Sequence, residues 1–92
     1  MKRTISVDFD GVIRDCMTDK PVEGVQSALK WLKNKGYKYV ICTGREDLVP
    51  VERWLKANGI YEKPTNKKIK AVAYIDDRAI RFVSWKDTLN YF

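Results

Sequence analysis

The sequence predicts a single α/β domain built on a mainly parallel sheet. Strand-like and helix-like segments alternate along its 92 residues, the order that produces parallel strands joined by helices. Three short apolar runs end in polar groups, at VDFD, ICTGR and YIDDR. A chain of this length forms one hydrophobic core, so residues 1–92 are expected to make one domain.

The first half of the chain predicts one strand and one helix. The strand runs from Thr4 to Phe9, and a turn-rich loop, GVIRDCMTDK, follows it. Pro21 suits the first position of a helix capped by Thr18 or Asp19. The helix is supported by an apolar stripe at helical spacing, comprising Val25, Ala28, Leu29 and Leu32. The NKG segment is expected to end it.

The rest of the chain predicts two to four strands and two helices. YKYVICT reads as a strand, and a helix follows with Pro50 in its first turn, Gly59 at its end and an apolar stripe of Leu48, Val51, Trp54 and Leu55. AVAYI predicts a strand buried on both faces. A short edge strand before the lysines of residues 60–70 and a strand at IRFV are also expected. Ser84 and Asp87 form a capping-box pattern for a last short helix.

Composition excludes several kinds of site. The chain has no histidine, and Cys16 and Cys42 stand alone, so imidazole bases, Ser-His-Asp or Cys-His catalysis and Cys/His zinc sites are excluded. Both thiols are expected to be reduced, with Cys42 packed as a small apolar residue. No apolar run is long enough for a signal peptide or a membrane span, so we expect a soluble, cytoplasmic protein with no membrane partner.

The net charge of +6 favours anionic partners. Lysines thicken at KNKGYK and at EKPTNKKIK. Two interpretations stay open: a solvated lysine-rich face, or a footprint for a phosphate-bearing polymer. The sequence leaves the oligomeric state open.

Polar groups follow three predicted strands at the edge where ligands bind in open parallel sheets. Asp8 and Asp10 are expected to project to the same side of the first strand, at the edge that also carries Thr43 and Asp76. Converging carboxylates repel each other unless a cation neutralises them, and Mg²⁺ prefers such oxygen ligands. Taken singly, each aspartate could equally be a cap or a turn former; their joint occurrence at successive strand ends favours a site.

With these motifs the chain resembles the haloacid dehalogenase (HAD) superfamily of phosphotransferases. The resemblance rests on the strand followed by DFDG, the later ICTG, a downstream lysine and YIDD, and it covers nearly the whole chain. It implies a three-layer, Rossmann-like core. The spacings between the motifs are too short for a cap domain, so a minimal, capless phosphatase is expected.

The resemblance also implies roles for the carboxylates. Asp8 would attack phosphorus to give an aspartyl-phosphate, and Asp10 would act as general acid and then general base. Mg²⁺ would be held by Asp8, by the carbonyl of Asp10 and by Asp76, with Asp77 as second candidate. Since dehalogenases that act on carbon lack the acid/base aspartate, Asp10 favours phosphoryl transfer.

Phosphate binding is implied for residues of the other motifs. Thr43 and the amide of Gly44 would hold phosphate oxygens, and Gly11 closes the first motif. A lysine would offset the negative charge; Lys68 is preferred by its distance from YIDD, with Lys67 and Lys70 as alternatives.

The substrate interpretation depends on two arginines. Arg45 and Arg78 occupy positions similar to arginines in the phosphatase part of polynucleotide kinase/phosphatase enzymes, so the phosphorylated substrate could be a nucleic-acid end, a nucleotide or a sugar phosphate. Alternatively, Arg45 could cap the following helix and Arg78 could pair with Asp77 or Asp47. The loop carrying Arg14 and Cys16 is expected to lie close enough to influence substrate choice.

Two hypotheses of other classes remain. The chain could be a catalytically silent module that binds phosphate or nucleic acid, although such a module has no need of the Asp8/Asp10 pair. It could also be a subunit that docks a partner through C-terminal aromatics, namely Trp85, Tyr91 and Phe92, although these residues are better suited to closing a small core.

Overall fold

The sheet consists of parallel strands. The structure, a computed structural model, describes residues 3–67, 71, 73–76, 80–81 and 83–92, with the backbone alone at 76, 80 and 81. Within that part of the chain the strands are β1 (Arg3–Asp8), β2 (Tyr37–Cys42), β3 (Ala73–Asp76) and the two-residue β4 (Ile80–Arg81). Their order in the sheet is β2-β1-β3-β4, and every pairing is parallel, as predicted.

The central strand β1 is buried on both faces. Ile5, Ser6 and Val7 are all buried although successive side chains point to opposite sides. A strand covered in this way needs packing elements above and below it. The right-handed crossovers β1–β2 and β2–β3 run in opposite directions across the sheet, which places their helices on opposite faces.

Three helices are formed by the described residues: α1 (Val25–Asn34), α2 (Val49–Ala57) and α3 (Trp85–Leu89). The predicted stripe of α1 is confirmed, since its buried residues are Val25, Ala28, Leu29 and Leu32. The capping prediction for α3 is also confirmed, because the Ser84 side chain accepts a hydrogen bond from the Asp87 N–H at 3.2 Å. None of the helices in this part of the chain is long and apolar enough to cross a membrane.

The prediction that α1 begins at Pro21 is wrong. Pro21 forms an antiparallel bridge with Arg14, and the Val22 N–H donates to the Ile13 carbonyl at 2.8 Å. These pairings keep the backbone extended through Val22. The helix starts only after Gly24, whose φ of 81° suits glycine.

The segment after α2 runs along the free edge of β2. Thr65 forms a single parallel bridge to Cys42, with two hydrogen bonds of 3.0 and 2.9 Å that join it to Thr43 and Ile41. The edge strand expected in this region is therefore one bridge long. Covering an edge in this way removes a surface that could pair with another chain.

The core is one cluster on both sides of the sheet, and its described members are Ile5, Val7, Phe9, Val12, Ile13, Val25, Ala28, Leu29, Leu32, Tyr39, Ile41, Val51, Leu55, Ile60, Ile75 and Trp85. The radius of gyration is 12.2 Å, as expected for one compact domain of this length, about 12 Å. The thiols of Cys16 and Cys42 are free, and Cys42 is half-buried, so it is less deeply packed than expected.

The C-terminal aromatics divide between core and surface. Trp85 is buried, and its indole Nε1 donates to the Val12 carbonyl at 3.2 Å. Phe92 packs edge-to-face against Tyr37. Tyr91 remains 70% exposed. The last helix therefore closes the core and also holds the loop after β1.

Leu32→Ala should lower the free energy of unfolding by about 2–5 kcal/mol, because a fully buried side chain is replaced by a cavity. Lys30→Ala, on the exposed side of the same helix, serves as control and should change it by less than about 0.5 kcal/mol. Urea unfolding measures both. Equal effects would contradict the packing of α1.

Tyr39 should make stability depend on pH. Burial raises the pKa of Tyr39 from 10.0 to about 12, and the Glu62 carboxylate adds to the rise. Because the folded state holds the proton longer, this contribution is fully present below the unfolded pKa and is lost as the pH rises through the folded one.

Urea unfolding of Tyr39→Phe should therefore show a shallower loss of stability between pH 10 and pH 12 than the parent protein does. Glu62→Gln should lie between the two, since it removes only the smaller cause. Identical slopes for the parent and Tyr39→Phe would show that Tyr39 does not carry this dependence.

Candidate functional site

The strand order creates a crevice at the carboxyl end of β1. The chain leaves β1 towards β2 on one side, and then crosses to β3 on the other side. Open α/β sheets bind ligands outside the carboxyl ends of the strands where the direction of winding reverses. Val7 is paired with Ile75, so the next register step brings the backbones of Asp8 and Asp76 side by side. Two of the predicted site residues thus lie at the reversal point.

A tight turn follows β1 and carries Asp10. The Phe9 carbonyl accepts hydrogen bonds from the N–H groups of Ile13 and Arg14 at 2.9 and 3.0 Å. Gly11 donates to the Arg14 carbonyl at 2.8 Å and has a φ of 83°, a conformation that favours glycine. Since β1 ends at Asp8, Asp10 belongs to this turn, and strand alternation does not set its direction.

Asp8 is the last residue of β1, and Thr43 directly follows β2, the neighbouring strand. The partly buried Asp8 carboxylate accepts the Phe9 N–H at 2.9 Å. Thr43 is buried, and its hydroxyl accepts the Arg45 N–H at 3.2 Å, which shapes the turn after β2. A Cβ at Gly44 would meet nothing within 4 Å, so packing within the protein does not require glycine there and the turn leaves open space beside its Cα.

The Asp10 carboxylate is held by two arginines. Arg45 binds it in bidentate fashion, with Nε 3.0 Å from Oδ2 and Nη2 2.8 Å from Oδ1. Arg14 donates through Nη1 to Oδ1 at 3.1 Å. Planar guanidinium groups favour such paired contacts with carboxylates. The sequence predicted that a metal ion would neutralise the converging carboxylates. In the structure, two guanidinium groups neutralise the carboxylate of Asp10.

A second carboxylate completes this group. Arg14 also donates through Nε to Asp19 Oδ1 at 2.6 Å. We call Asp10, Arg14, Asp19 and Arg45 the Asp10 cluster; its two positive and two negative side chains balance. The hydrogen bond to Asp19 raises the pKa of Arg14, and the hydrogen bond to Asp10 raises that of Arg45. Both contacts thus favour the charged guanidinium, the form in which arginine side chains occur in proteins.

Aromatic rings support the cluster from α2. Trp54 packs edge-to-face on Phe9, with ring centroids 5.3 Å apart, and the Arg45 guanidinium lies 5.5 Å from the centre of the Phe9 ring. The Trp54 indole donates to the Asp19 carbonyl at 2.9 Å. These contacts join α2, the loop after β1 and the turn after β2 into one surface.

The structure gives partners to three residues that the sequence singled out. Arg45, expected to contact phosphate or cap α2, pairs with Asp10. Asp19 was expected to cap α1; it anchors Arg14 in the loop before the helix. Arg45 and Asp10 lie 35 residues apart, so no local pattern signals their pairing. The expected proximity of Arg14 to the site is confirmed.

The lysine-rich segment begins beside the turn after β2. The Asn66 side-chain amide donates to the carbonyls of Arg45 and Glu46, both at 3.3 Å. The Lys67 N–H donates to the Thr65 hydroxyl at 3.1 Å. The preferred Lys68, like Lys70, lies outside the described residues.

The side chains at positions 76–78, in the YIDDR segment, also lie outside the described part of the chain. Asp77 and Arg78 lie outside the described residues, and Asp76 is described by its backbone alone. Their predicted roles in metal and substrate binding stay predictions.

The oxygen donors at the crevice suit Mg²⁺ in their chemistry. Among described side chains, no three His, Cys, Asp or Glu residues gather as a metal site; the side chains of Asp76 and Asp77 fall outside that comparison. The Asp10 carbonyl accepts no hydrogen bond from any described residue. With the carboxylate of Asp8, it offers the hard oxygen ligands that Mg²⁺ prefers.

The chain is similar in structure to a conserved protein from Bacteroides thetaiotaomicron. The TM-score is 0.76 at 26% sequence identity, and the match covers 96% of this chain and 87% of that one. No protein-family model and no curated protein matches the chain. The likeness supports an α/β fold over nearly the whole length.

Asp10→Asn should increase the affinity for inorganic phosphate. The substitution weakens the pairing of Arg14 and Arg45 with residue 10, so their donors become available to an anion. Titration calorimetry should show tighter phosphate binding by Asp10→Asn than by the parent protein, and Asp10→Asn combined with Arg45→Ala should lose the gain. Equal affinity in all three proteins would contradict the arrangement of the Asp10 cluster.

Proposed function

We propose that the protein is a Mg²⁺-dependent phosphomonoester hydrolase of the HAD type, with Asp8 as its nucleophile. The observation that carries the proposal is the position of Asp8, at the carboxyl end of the central strand and at the reversal point of the winding, with Asp76 beside it in the backbone. Such a position puts a half-buried carboxylate at the edge where open parallel sheets bind ligands.

The proposed reaction has two displacement steps at phosphorus. In the first, an Asp8 carboxylate oxygen attacks phosphorus, the bond to the leaving oxygen breaks, and that oxygen takes a proton from Asp10. In the second, water attacks the aspartyl-phosphate and gives a proton to Asp10, while the bond between phosphorus and Asp8 breaks. The products are an alcohol and inorganic phosphate, and both carboxyl groups return to their initial states.

The turn after β2 is proposed to hold the transferred phosphoryl group. Thr43 and Gly44 directly follow β2, whose last residue, Cys42, pairs with Asp8. The open space at Gly44 leaves room for a phosphate oxygen near its amide. Lys68, with Lys67 and Lys70 as alternatives, would offset the negative charge, since electrostatic stabilisation dominates phosphoryl transfer.

Mg²⁺ would be held by the Asp8 carboxylate and the Asp10 carbonyl, with Asp76 or Asp77 completing the protein ligands. When bound, the ion polarises the phosphoryl group and offsets the repulsion between the substrate and Asp8.

Arg45 gives the site a way to respond to substrate. In the structure it pairs with Asp10, and it lies two residues after Thr43. A phosphate dianion beside Gly44 would compete for the same guanidinium. Drawing Arg45 away would leave Arg14 as the guanidinium that still contacts Asp10 among the described residues.

The site is proposed to be capless and open. Residues 9–24, between β1 and α1, contain no helix or strand longer than a single bridge, and residues 43–48 connect β2 to α2. An open crevice admits small phosphomonoesters as well as a phosphorylated nucleic-acid end, towards which the net charge of +6 would help. The second candidate function is a silent phosphate-binding module, favoured by the closed pairing of Asp10 with two arginines.

Asp8→Asn should abolish phosphate release, a loss of roughly 10⁴-fold or more, because the amide cannot act as the nucleophile. The assay compares release with Mg²⁺ and with excess chelator. Its panel contains an aryl phosphate, nucleoside monophosphates, sugar phosphates and 3′- and 5′-phosphorylated oligonucleotides.

Asp87→Asn is the matched control, since Asp87 lies exposed on α3, and it should retain parental activity. Release that persists in Asp8→Asn would remove Asp8 from the mechanism. A parent protein that binds phosphate or oligonucleotides but releases nothing would establish the silent module.

A further inference from the structure

We propose that Arg14, anchored by Asp19, is a positioning residue that keeps Asp10 aligned with the leaving oxygen while Arg45 is engaged by substrate. The inference rests on the proposed function. It starts from a difference between the two arginines that bind Asp10. Arg14 contacts two carboxylates, whereas Asp10 is the one carboxylate paired with Arg45 among the described residues.

Arg14 is held from both ends. Its Nη1 binds Asp10 and its Nε binds Asp19, and its side chain is 20% exposed, against 39% for Arg45. Its backbone N–H donates to the Phe9 carbonyl, so the side chain projects from the same turn that carries Asp10. Arg14 can therefore keep its place when a ligand enters.

Asp19 is itself fixed in the loop. Its φ of 62° is a left-handed conformation, which aspartate tolerates better than most residues do. Its carbonyl accepts the Trp54 indole N–H, and its own N–H donates to the Asp15 carbonyl at 2.8 Å. The backbone of Asp19, whose carboxylate anchors Arg14, is thus bonded to α2 as well as to the loop.

Arg45 is placed to move. It lies on the turn proposed to bind phosphate, and it contributes two of the three hydrogen bonds that Asp10 receives from the arginines. Once a substrate phosphate takes Arg45, Arg14 supplies the remaining contact with Asp10. Without Arg14, the Asp10 carboxyl would rotate freely at the moment when it must donate a proton.

This role has a chemical signature that depends on the leaving group. An alkyl phosphate has a basic leaving oxygen that needs a proton in the transition state, whereas dinitrophenyl phosphate releases a stable anion that does not. A misaligned Asp10 therefore slows the first substrate selectively. General loosening of the site would slow both substrates alike.

The experiment measures, for Arg14→Ala with enzyme in excess, the single-turnover rate constant and the half-saturating enzyme concentration on an alkyl phosphate and on dinitrophenyl phosphate, so that the first step is observed. Turnover of the alkyl phosphate should fall roughly 10- to 100-fold, within the range that acid–base catalysis contributes, and that of dinitrophenyl phosphate less than about 3-fold. Added guanidinium ion should restore part of the loss. Asp19→Asn should shift the ratio in the same direction by less.

Arg53→Ala, which removes an exposed arginine of α2, is the matched control and should leave both rates unchanged. An equal loss on both substrates, or no loss on either, would overturn the positioning role while the parent activity still supports the proposed function. A parent protein inactive on both substrates would overturn the proposed function and this inference with it.

Discussion

The position of β1 in the middle of the sheet is the constraint on which the rest of the structure depends. With β2 and β3 on either side and both faces buried, β1 can carry charged groups only where it emerges. Its first charged residue after Ile5 is Asp8, at that exit. The chain must then turn away sharply, and the bonds to the Phe9 carbonyl provide the turn. The same constraint that builds the core thus delivers carboxylates to the crevice.

The Asp10 cluster has well-defined hydrogen-bond geometry but contributes little to the free energy of folding. Its members are partly exposed, with 34% of the Asp10 side chain accessible. Ion pairs at such exposure contribute about 0–1 kcal/mol each, because water screens them and the long side chains lose entropy. The bidentate contact sets the orientation of the Arg45 guanidinium relative to the Asp10 carboxylate, but it does not hold the two side chains together tightly. Under the proposed function, a phosphate dianion would replace the contact with Arg45 and leave the contact with Arg14 in place.

Local patterns predicted most of the elements and long-range contacts decided the rest. The stripe of α1 and the Ser84 cap were predictable because helical spacing and capping involve residues three or four positions apart. The start of α1 was predicted wrongly at Pro21, because the antiparallel bridge from Pro21 to Arg14 outweighs the preference of proline for a first helical turn. The pairing of Arg45 with Asp10 was not predictable from any spacing. The strand ends in the sequence were enough to predict where the crevice lies. Which side chains pair within it could be seen only in the folded structure.

The indole of Trp85 links α3 to the loop after β1. Its hydrogen bond reaches the carbonyl of Val12, 73 residues earlier and two residues after Asp10. During synthesis from the N-terminus, the DFDG segment leaves the ribosome long before this contact can form. A nascent chain would thus carry Asp8 and Asp10 before their turn has its support from Trp85. The ordering of this turn is therefore coupled to the folding of α3, which is the shortest helix of the described residues.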